Sequence, residues 1–418
     1  MKYLILLCDG MSDYPLEELG GLTPMQKADK PYMDKLAAIS ELGLVKTVQN
    51  DMKPGSDVAN LSVLGYDPAI YYSGRSPFEA GSIGVDMKPT DVSLRCNLVT
   101  LSDDEIYADK TMLDYCADDI SSEEAAVLIE HIDKNLGSVS ADADASSFSF
   151  YSGVAYRHLL LWGNGTVDVG TLIPPHDILD KKIAPYIECP NLHKASDTNK
   201  RMLIKLMEES FSLLKDHPVN AERVKKGKRP ANSIWLWGEG VKRDFPSFKE
   251  KFGKKAAMIS AVDLLKGIGK FTDMEVLNVK GATGYLDTNF KGKCAAAVNA
   301  LKTGTDLVYL HIEAPDECGH RGETAGKVKA IELIDELVLK PFLAAFRSES
   351  IKILICPDHA TPLSLRTHTH DLVPYLIYDS SKPQKKAETI TSFSESTAEA
   401  SGNRIEKGYT LMEKFLGL

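Results

Sequence analysis

Residues 351–374 read IKILICPDHATPLSLRTHTHDLVP. The stretch opens on β-favouring apolar positions, Ile351, Ile353, Leu354, Ile355 and Cys356, then breaks into Pro357, Asp358 and His359. That is the pattern of a buried strand delivering a carboxylate and an imidazole at its C-terminal end. His368 and His370 follow in a polar loop that runs into the strand-like VPYLIY. Asp and His together suit zinc, manganese or iron better than calcium, because imidazole is a poor ligand for hard, oxygen-seeking ions. One Asp-His pair alone is ordinary loop chemistry. Here other apolar runs end in the same way.

Tyr3 to Cys8 is such a run, broken at once by Asp9-Gly10. Asp9 there either caps the next helix or lies at a strand end, where open α/β sheets gather their ligands. The run LVYLHIEAP delivers Asp316, and His320 lies four residues on, sharing its face if the turn is helical. With Asp9, Asp358, His359 and His368, these are the ligand types of a two-metal site, whose ions lie roughly 3.5 to 4 Å apart and clamp a phosphoryl group. Between them, DMKPGSDVANLSVLGYDP places Ser56 after a Pro-Gly turn, at the start of a helix with Val58, Leu61, Val63 and Leu64 on its apolar face. A serine there ordinarily caps the helix, for about 1 kcal/mol. It also sits where the helix N-terminus stabilises a phosphate or alkoxide.

The order of the elements implies two domains. The N-terminal strand, a helix broken at Pro31 and a short strand GLVKTVQ start an α/β sheet. From Asp91 to His217 the texture is strand pairs with helices, including SSEEAAVLIEHIDKNL and LIKLMEESFSLLKDH, an α+β pattern. The basic RVKKGKRP reads as the return linker, after which NSIWLWGEG, AAMISAVDLLKGIG, MEVLNV, LVYLHIEAP and IKILICPDH resume the parallel pattern. The expected fold is α/β: a mainly parallel sheet flanked by helices (residues 1–88 and 223–418), with a smaller α+β domain (residues 89–222) inserted in it. Hinges are expected near residues 85–92 and 216–232, letting the insert close over a substrate, and the Ser/Thr-rich segment 380–403 is expected to be an exposed loop.

The charge of -10, from 49 Lys and Arg against 59 Asp and Glu, argues against a nucleic-acid or anionic-membrane partner. The seven cysteines are scattered and form no CxxC pair, as expected for reduced thiols in a cytoplasm. MKYLILLCDGMSD reads as a first strand rather than a signal peptide, and no apolar run approaches a membrane span.

Taken together, CDGMSD, PGSDVANLSVLGYDP, YRHLLLW, PPHD, NVKGATGYLDTNFKGK, HIEAPDECGH, PDHATP and RTHTHDLVP resemble the archaeal-type cofactor-independent phosphoglycerate mutases of the alkaline phosphatase superfamily. The resemblance runs over essentially the whole chain. It implies an alkaline-phosphatase-like fold, with Asp316, His320 and His368 holding one divalent ion and Asp9, Asp358 and His359 the other, together with the nucleophile Ser56. Manganese is the first expectation, with zinc, cobalt or magnesium as alternatives. It implies transfer of the phosphoryl group of 3-phosphoglycerate to Ser56 and back to the other hydroxyl, and it makes Arg75, Arg95, Arg157, His158, His176 and Lys280 candidates for holding the substrate carboxylate and phosphate. The chain departs from the pattern at Asn60, where relatives often carry His, at Leu372, where Pro is expected, and at His370, a second imidazole beside His368. His368 is the expected ligand by its spacing from Val373-Pro374.

The rival readings are a phosphatase, a phosphopentomutase or a phosphotransferase of the same superfamily acting on another small phosphorylated metabolite. A sulfatase lacks its CxPxR-type context here, and no GxxxxGK[ST] loop supports an ATP-dependent kinase. A catalytically dead relative should lack a ligand or nucleophile, and none is missing. The oligomeric state is left open by the sequence.

Overall fold

A computed structural model of the chain describes residues 1–137, 147–191, 193–383 and 390–418. The chain divides into two compact units, Met1–Tyr72 with Phe245–Leu418, and Ser73–Asp244.

The first unit is built on an eight-stranded sheet in the order Arg404–Ile405, Glu41–Val45, Val373–Asp379, Ile351–Cys356, Lys2–Cys8, Leu307–Ile312, Ala256–Ile259, Glu275–Val276. Only Val373–Asp379 runs against the other described strands of this sheet. The central Lys2–Cys8 strand is buried on both faces, with Leu4, Ile5, Leu6, Leu7 and Cys8 all inaccessible, which is why its sequence is continuously apolar rather than alternating. Its parallel neighbours are in a register that sets Cys8 opposite Ile312 and Leu7 opposite Cys356. Asp9, the Glu313–Asp316 turn and Asp358 therefore all leave the sheet at one edge.

Behind that edge lies a buried ion pair that no motif announces. The Lys327 ammonium, on the helix Thr324–Ile334, reaches Asp13 Oδ2 at 2.6 Å and the Thr361 carbonyl at 2.8 Å. Asp13 accepts from the Leu363 N–H, and its own N–H donates to Glu395 Oε1 at 3.1 Å. The segment 380–403, expected to be exposed, thus contributes to the interior: Phe393 is buried, Glu395–Ala400 is helical, and Glu395 also accepts from Ser12 and Thr23. Ser392 and Glu395 find partners within the protein, Asp34 for the first and Ser12, Asp13 and Thr23 for the second, while Ser396 and Glu399 stay exposed. Residues 384–389 of that segment, and residues 138–146 of the Asp/Ser-rich loop, lie outside the described residues.

The second unit holds a five-stranded sheet in which Val92–Leu101 pairs antiparallel with Met112–Asp114, Arg157–Gly163 and Ser233–Val241, and Ser147–Tyr151 completes it on Arg157–Gly163. The helix Ser122–Leu136 starts on a Ser121 cap to the Glu124 N–H and buries Ala125, Leu128, Ile129 and Ile132, one stripe at helical spacing. Two expectations are corrected here. NSIWLWGEG does not resume the parallel sheet: Ser233–Val241 lies antiparallel to Val92–Leu101, and Trp235 and Leu236 are buried in this unit's core. RVKKGKRP is not a free linker, because Arg223 is fully buried, donating to Glu124 Oε2 at 2.5 Å and to the carbonyls of Arg229 and Ala117. The second compact unit, Ser73–Asp244, contains the whole of the expected insert 89–222 and both expected hinge segments. All seven cysteines are free, and no helix among the described residues is long and apolar enough to cross a membrane.

The Lys327–Asp13 pair predicts a measurable cost. Removing one partner of a buried pair leaves the other charge uncompensated, a loss of about 3 to 5 kcal/mol. Lys327→Met is therefore expected to lower unfolding stability in urea by that amount, and a loss below about 1 kcal/mol contradicts the assignment.

Candidate active site

Two groups of potential metal ligands stand at the sheet edge of the first unit: Asp316, His320 and His368, and Asp9, Asp358 and His359, with ligand atoms in each group within 4.8 Å of one another. In the first, Asp316 and His320 sit one turn apart on the helix Ala314–Arg321, 3.3 Å between Oδ2 and Nε2. His368 Nε2 lies 3.5 Å from Asp316 Oδ1 and 2.9 Å from His320 Nε2. His320 Nδ1 is 3.0 Å from the Arg366 carbonyl, which can only accept, so Nδ1 carries a proton and Nε2 is turned toward the cluster. His370 takes no part: its Nε2 donates to the Met52 carbonyl at 2.7 Å.

In the second group, His359 Nε2 lies 3.3 Å from Asp358 Oδ2, 3.6 Å from Asp9 Oδ1 and 3.1 Å from Ser56 Oγ. The imidazoles of His359 and His368 stack at 3.8 Å between centroids, bringing the two groups side by side. Ser56 is the first residue of the helix Ser56–Val63, following the N-cap Gly55, and its hydroxyl lies within hydrogen-bond distance of His359. Gly10 makes this crowding sterically feasible. Its φ is +60° and a Cβ there would stand 2.6 Å from both Asp316 Oδ1 and Thr361 Oγ1.

The surroundings test whether these residues suit a cation. Asp9 Oδ1 is buried without a hydrogen-bond partner, an arrangement that is costly unless a positive group completes it. Burial, followed by the charge of Asp358, pushes Asp9 well above the usual carboxylate range. Burial also raises Asp316, but hydrogen bonds from His320 and His368 overcome it and hold that carboxyl well below its usual value. Three carboxylates, three imidazoles with Nε2 atoms turned into the clusters and an orphaned oxygen fit divalent ions of the softer first-row type.

His311, Ser260 and Tyr309 complete the site and were not singled out from sequence, whereas Asn60 was noted there as a departure. His311 Nε2 lies 2.8 Å from Asp9 Oδ2, and Ser260 Oγ lies 3.1 Å from its Nδ1. Burial lowers the His311 pKa to about 3, so the neutral ring donates from Nε2 to Asp9 and accepts from Ser260. Asn60 spends both amide protons, at 2.8 Å each, on Asp358 Oδ2 and the Ser56 carbonyl, and accepts from the buried Tyr309 hydroxyl. The departure at Asn60 thus ties the serine turn to Asp358. A histidine inside the run LVYLHIEAP was the available signal for His311; nothing local marks Tyr309.

The substrate candidates divide between the units. In the second unit, Arg75 and Arg95 share Glu79, with Nε to carboxylate distances of 2.9 and 3.0 Å. Arg95 stacks on Trp237 at 4.1 Å, and His176 packs edge-on against the same indole. Arg157 is exposed beside Tyr156. His158, on the opposite face of that strand, is buried, accepts from the Gly153 N–H at 3.1 Å and has its pKa lowered by burial to about 3. Lys280 is exposed in the first unit.

Known proteins place the chain among relatives. The sequence model described as 2,3-bisphosphoglycerate-independent phosphoglycerate mutase matches residues 37–220. The protein of that name from Methanosarcina mazei is 46% identical over 414 residues, 99% of this chain and 98% of its own. The chain belongs to the 2,3-bisphosphoglycerate-independent phosphoglycerate mutase family. A Geobacter sulfurreducens protein, named as a probable 2,3-bisphosphoglycerate-independent phosphoglycerate mutase, is 45% identical with complete coverage of both chains. Among solved structures, the cofactor-independent phosphoglycerate mutase of Thermoplasma acidophilum aligns over the full length of both chains with a TM-score of 0.66 at 26% identity. A Pyrococcus horikoshii protein aligns with a TM-score of 0.80 at 28% identity, covering 100% of this chain and 96% of its own.

For a member of this phosphoglycerate mutase family, the protonation of the metal-free site gives a direct test. The hydrogen bond to Asp316 raises His320 to about 9, against the pull of burial, and Asp9 is also raised. An ion must displace these protons, so its affinity rises with pH. Calorimetric titration of the metal-free chain with manganese near pH 7, in buffers of different ionisation enthalpy, is expected to show release of about 1 to 2 protons per chain. Affinity independent of pH, with no proton release, contradicts this.

Proposed function

We propose that this chain interconverts 3-phosphoglycerate and 2-phosphoglycerate without 2,3-bisphosphoglycerate, through a phosphorylated Ser56. The observation that carries the reading is Ser56 Oγ, at a helix N-terminus and 3.1 Å from His359 Nε2, beside two ligand triads of the required chemistry. Two divalent ions, manganese the first choice, would be held by Asp316, His320 and His368 and by Asp9, Asp358 and His359. Such ions lower the pKa of a bound hydroxyl and neutralise phosphoryl oxygens.

The chain's own residues supply the rest. Asn60 holds the Ser56 carbonyl against Asp358, which keeps the hydroxyl aimed into the site. The helix Ser56–Val63 points its N-terminal partial positive charge at the phosphoryl group that Ser56 would accept. Arg75, Arg95, Arg157, His176 and Lys280 are the proposed anchors for carboxylate and phosphate, Arg by paired hydrogen bonds. His158, neutral and buried, is the weakest of that set and supports the strand that carries Arg157. The substrate is a small phosphorylated hydroxy acid, and the protein is assigned to the cytoplasm.

The test is a coupled assay for 2-phosphoglycerate from 3-phosphoglycerate, with manganese present and 2,3-bisphosphoglycerate absent, while inorganic phosphate is followed. Turnover without phosphate release is expected, abolished by chelation and restored by manganese. Ser56→Ala should lose at least about a thousandfold in kcat, as removal of a nucleophile does, while its metal content stays unchanged. Phosphate release without isomerisation identifies a phosphatase instead, and an active Ser56→Ala variant removes the serine from the mechanism.

A further inference from the structure

One buried residue stands between the two triads and belongs to neither. The Thr361 hydroxyl donates to Asp316 Oδ1. Having only that proton, its oxygen must accept at the other contact, from His359 Nδ1 at 3.2 Å. A ligand from each triad thus meets on a single oxygen. His359 is thereby set in the tautomer that leaves Nε2 unprotonated toward Ser56, Asp9 and Asp358.

Thr361 is itself held from several directions. Its N–H donates to the Ser12 carbonyl at 3.3 Å, and its carbonyl accepts from the Lys327 ammonium at 2.8 Å. Two glycines make room for it: a Cβ on Gly10 would stand 2.6 Å from Oγ1, and one on Gly319 would stand 2.7 Å from the carbonyl oxygen. A side chain so confined cannot adjust to one neighbour without moving the other.

We propose that Thr361 is a positioning residue that couples the two metal sites, so that filling either one orders the ligand that the other needs. The inference rests on the two-metal reading above. With His359 holding a cation, its Nδ1–H would be a stronger donor to Thr361, and the Thr361 O–H would in turn be fixed more firmly on Asp316 Oδ1. Asp316 would then be ordered before its own site is filled, and linkage makes the effect reciprocal.

The experiment is manganese titration of the full-length chain after metal stripping, followed by calorimetry and by electron paramagnetic resonance of bound manganese. In the native chain, disabling the second site with Asp9→Asn is expected to weaken binding at Asp316, His320 and His368 by about 10-fold, within the range known for partners of metal ligands. Thr361→Val is expected to show that weakening already, with no further effect of Asp9→Asn. Thr361→Ser, which keeps the hydroxyl, should restore the coupling. A residue that only supports the fold would change affinity without abolishing this dependence of one site on the other.

Wild-type coupling in Thr361→Val overturns the proposal. So does a native chain in which Asp9→Asn leaves the first site's affinity unchanged or tighter, and that result needs no Thr361 variant to fold. Two ions bound independently overturn the role of Thr361 alone, whereas a native chain that takes up no manganese overturns the two-metal reading with it.

Discussion

Three carboxylates, Asp9, Asp316 and Asp358, are buried at one edge of one sheet, and the rest of the first unit answers to that crowding. At an effective dielectric constant of about 20, two unit charges about 4 Å apart repel by about 4 kcal/mol. The parallel register of the three central strands imposes this, because it ends them together. Against the carboxylates the chain sets imidazoles and hydrogen-bond donors: His311 and His359 beside Asp9, His320 and His368 beside Asp316, Asn60 and the Gly10 and His359 N–H groups on Asp358. Asp9 Oδ1 is still left without a partner. A divalent ion is the group whose charge and ligand preference complete such an arrangement.

Catalytic geometry here depends on tautomers as much as on distances. His320 is set by the Arg366 carbonyl, His311 by Ser260 and Asp9, and His359 by Thr361. Arg366, Ser260 and Thr361 lie outside the two ligand triads and fix which nitrogen is available, the usual work of groups one step removed from a metal. The loop that carries Thr361 is tied in turn by Lys327 and Asp13, and Asp13 by Glu395, partners that come from parts of the chain far apart.

Much of this was legible before any coordinates. Apolar runs that stop at Asp9, Asp316 and Asp358 encode buried parallel strands and their functional ends, because burial on both faces admits no alternation. The spacing of Asp316 and His320 encodes a shared helical face, and the break at Pro31 does separate two helices, Pro24–Lys27 and Pro31–Ala37. What misled was Ser233–Val241. An apolar run reads alike whether its neighbour is parallel or antiparallel, and the choice of Val92–Leu101 as partner is made far away in the chain. Arg223 misled for the reverse reason: a basic run looks solvated until Glu124 and two carbonyls are found around one of its members.

The chain by itself determined its family, its strand ends and the identity of the residues that crowd there, since these follow from local pattern and composition. Only the tertiary structure decided that His368 rather than His370 joins Asp316, that Asn60 links Ser56 to Asp358, and that Thr361 lies between the two triads. Each of those choices needs at least one contact between residues tens to hundreds of positions apart, and such pairings have no local period to read.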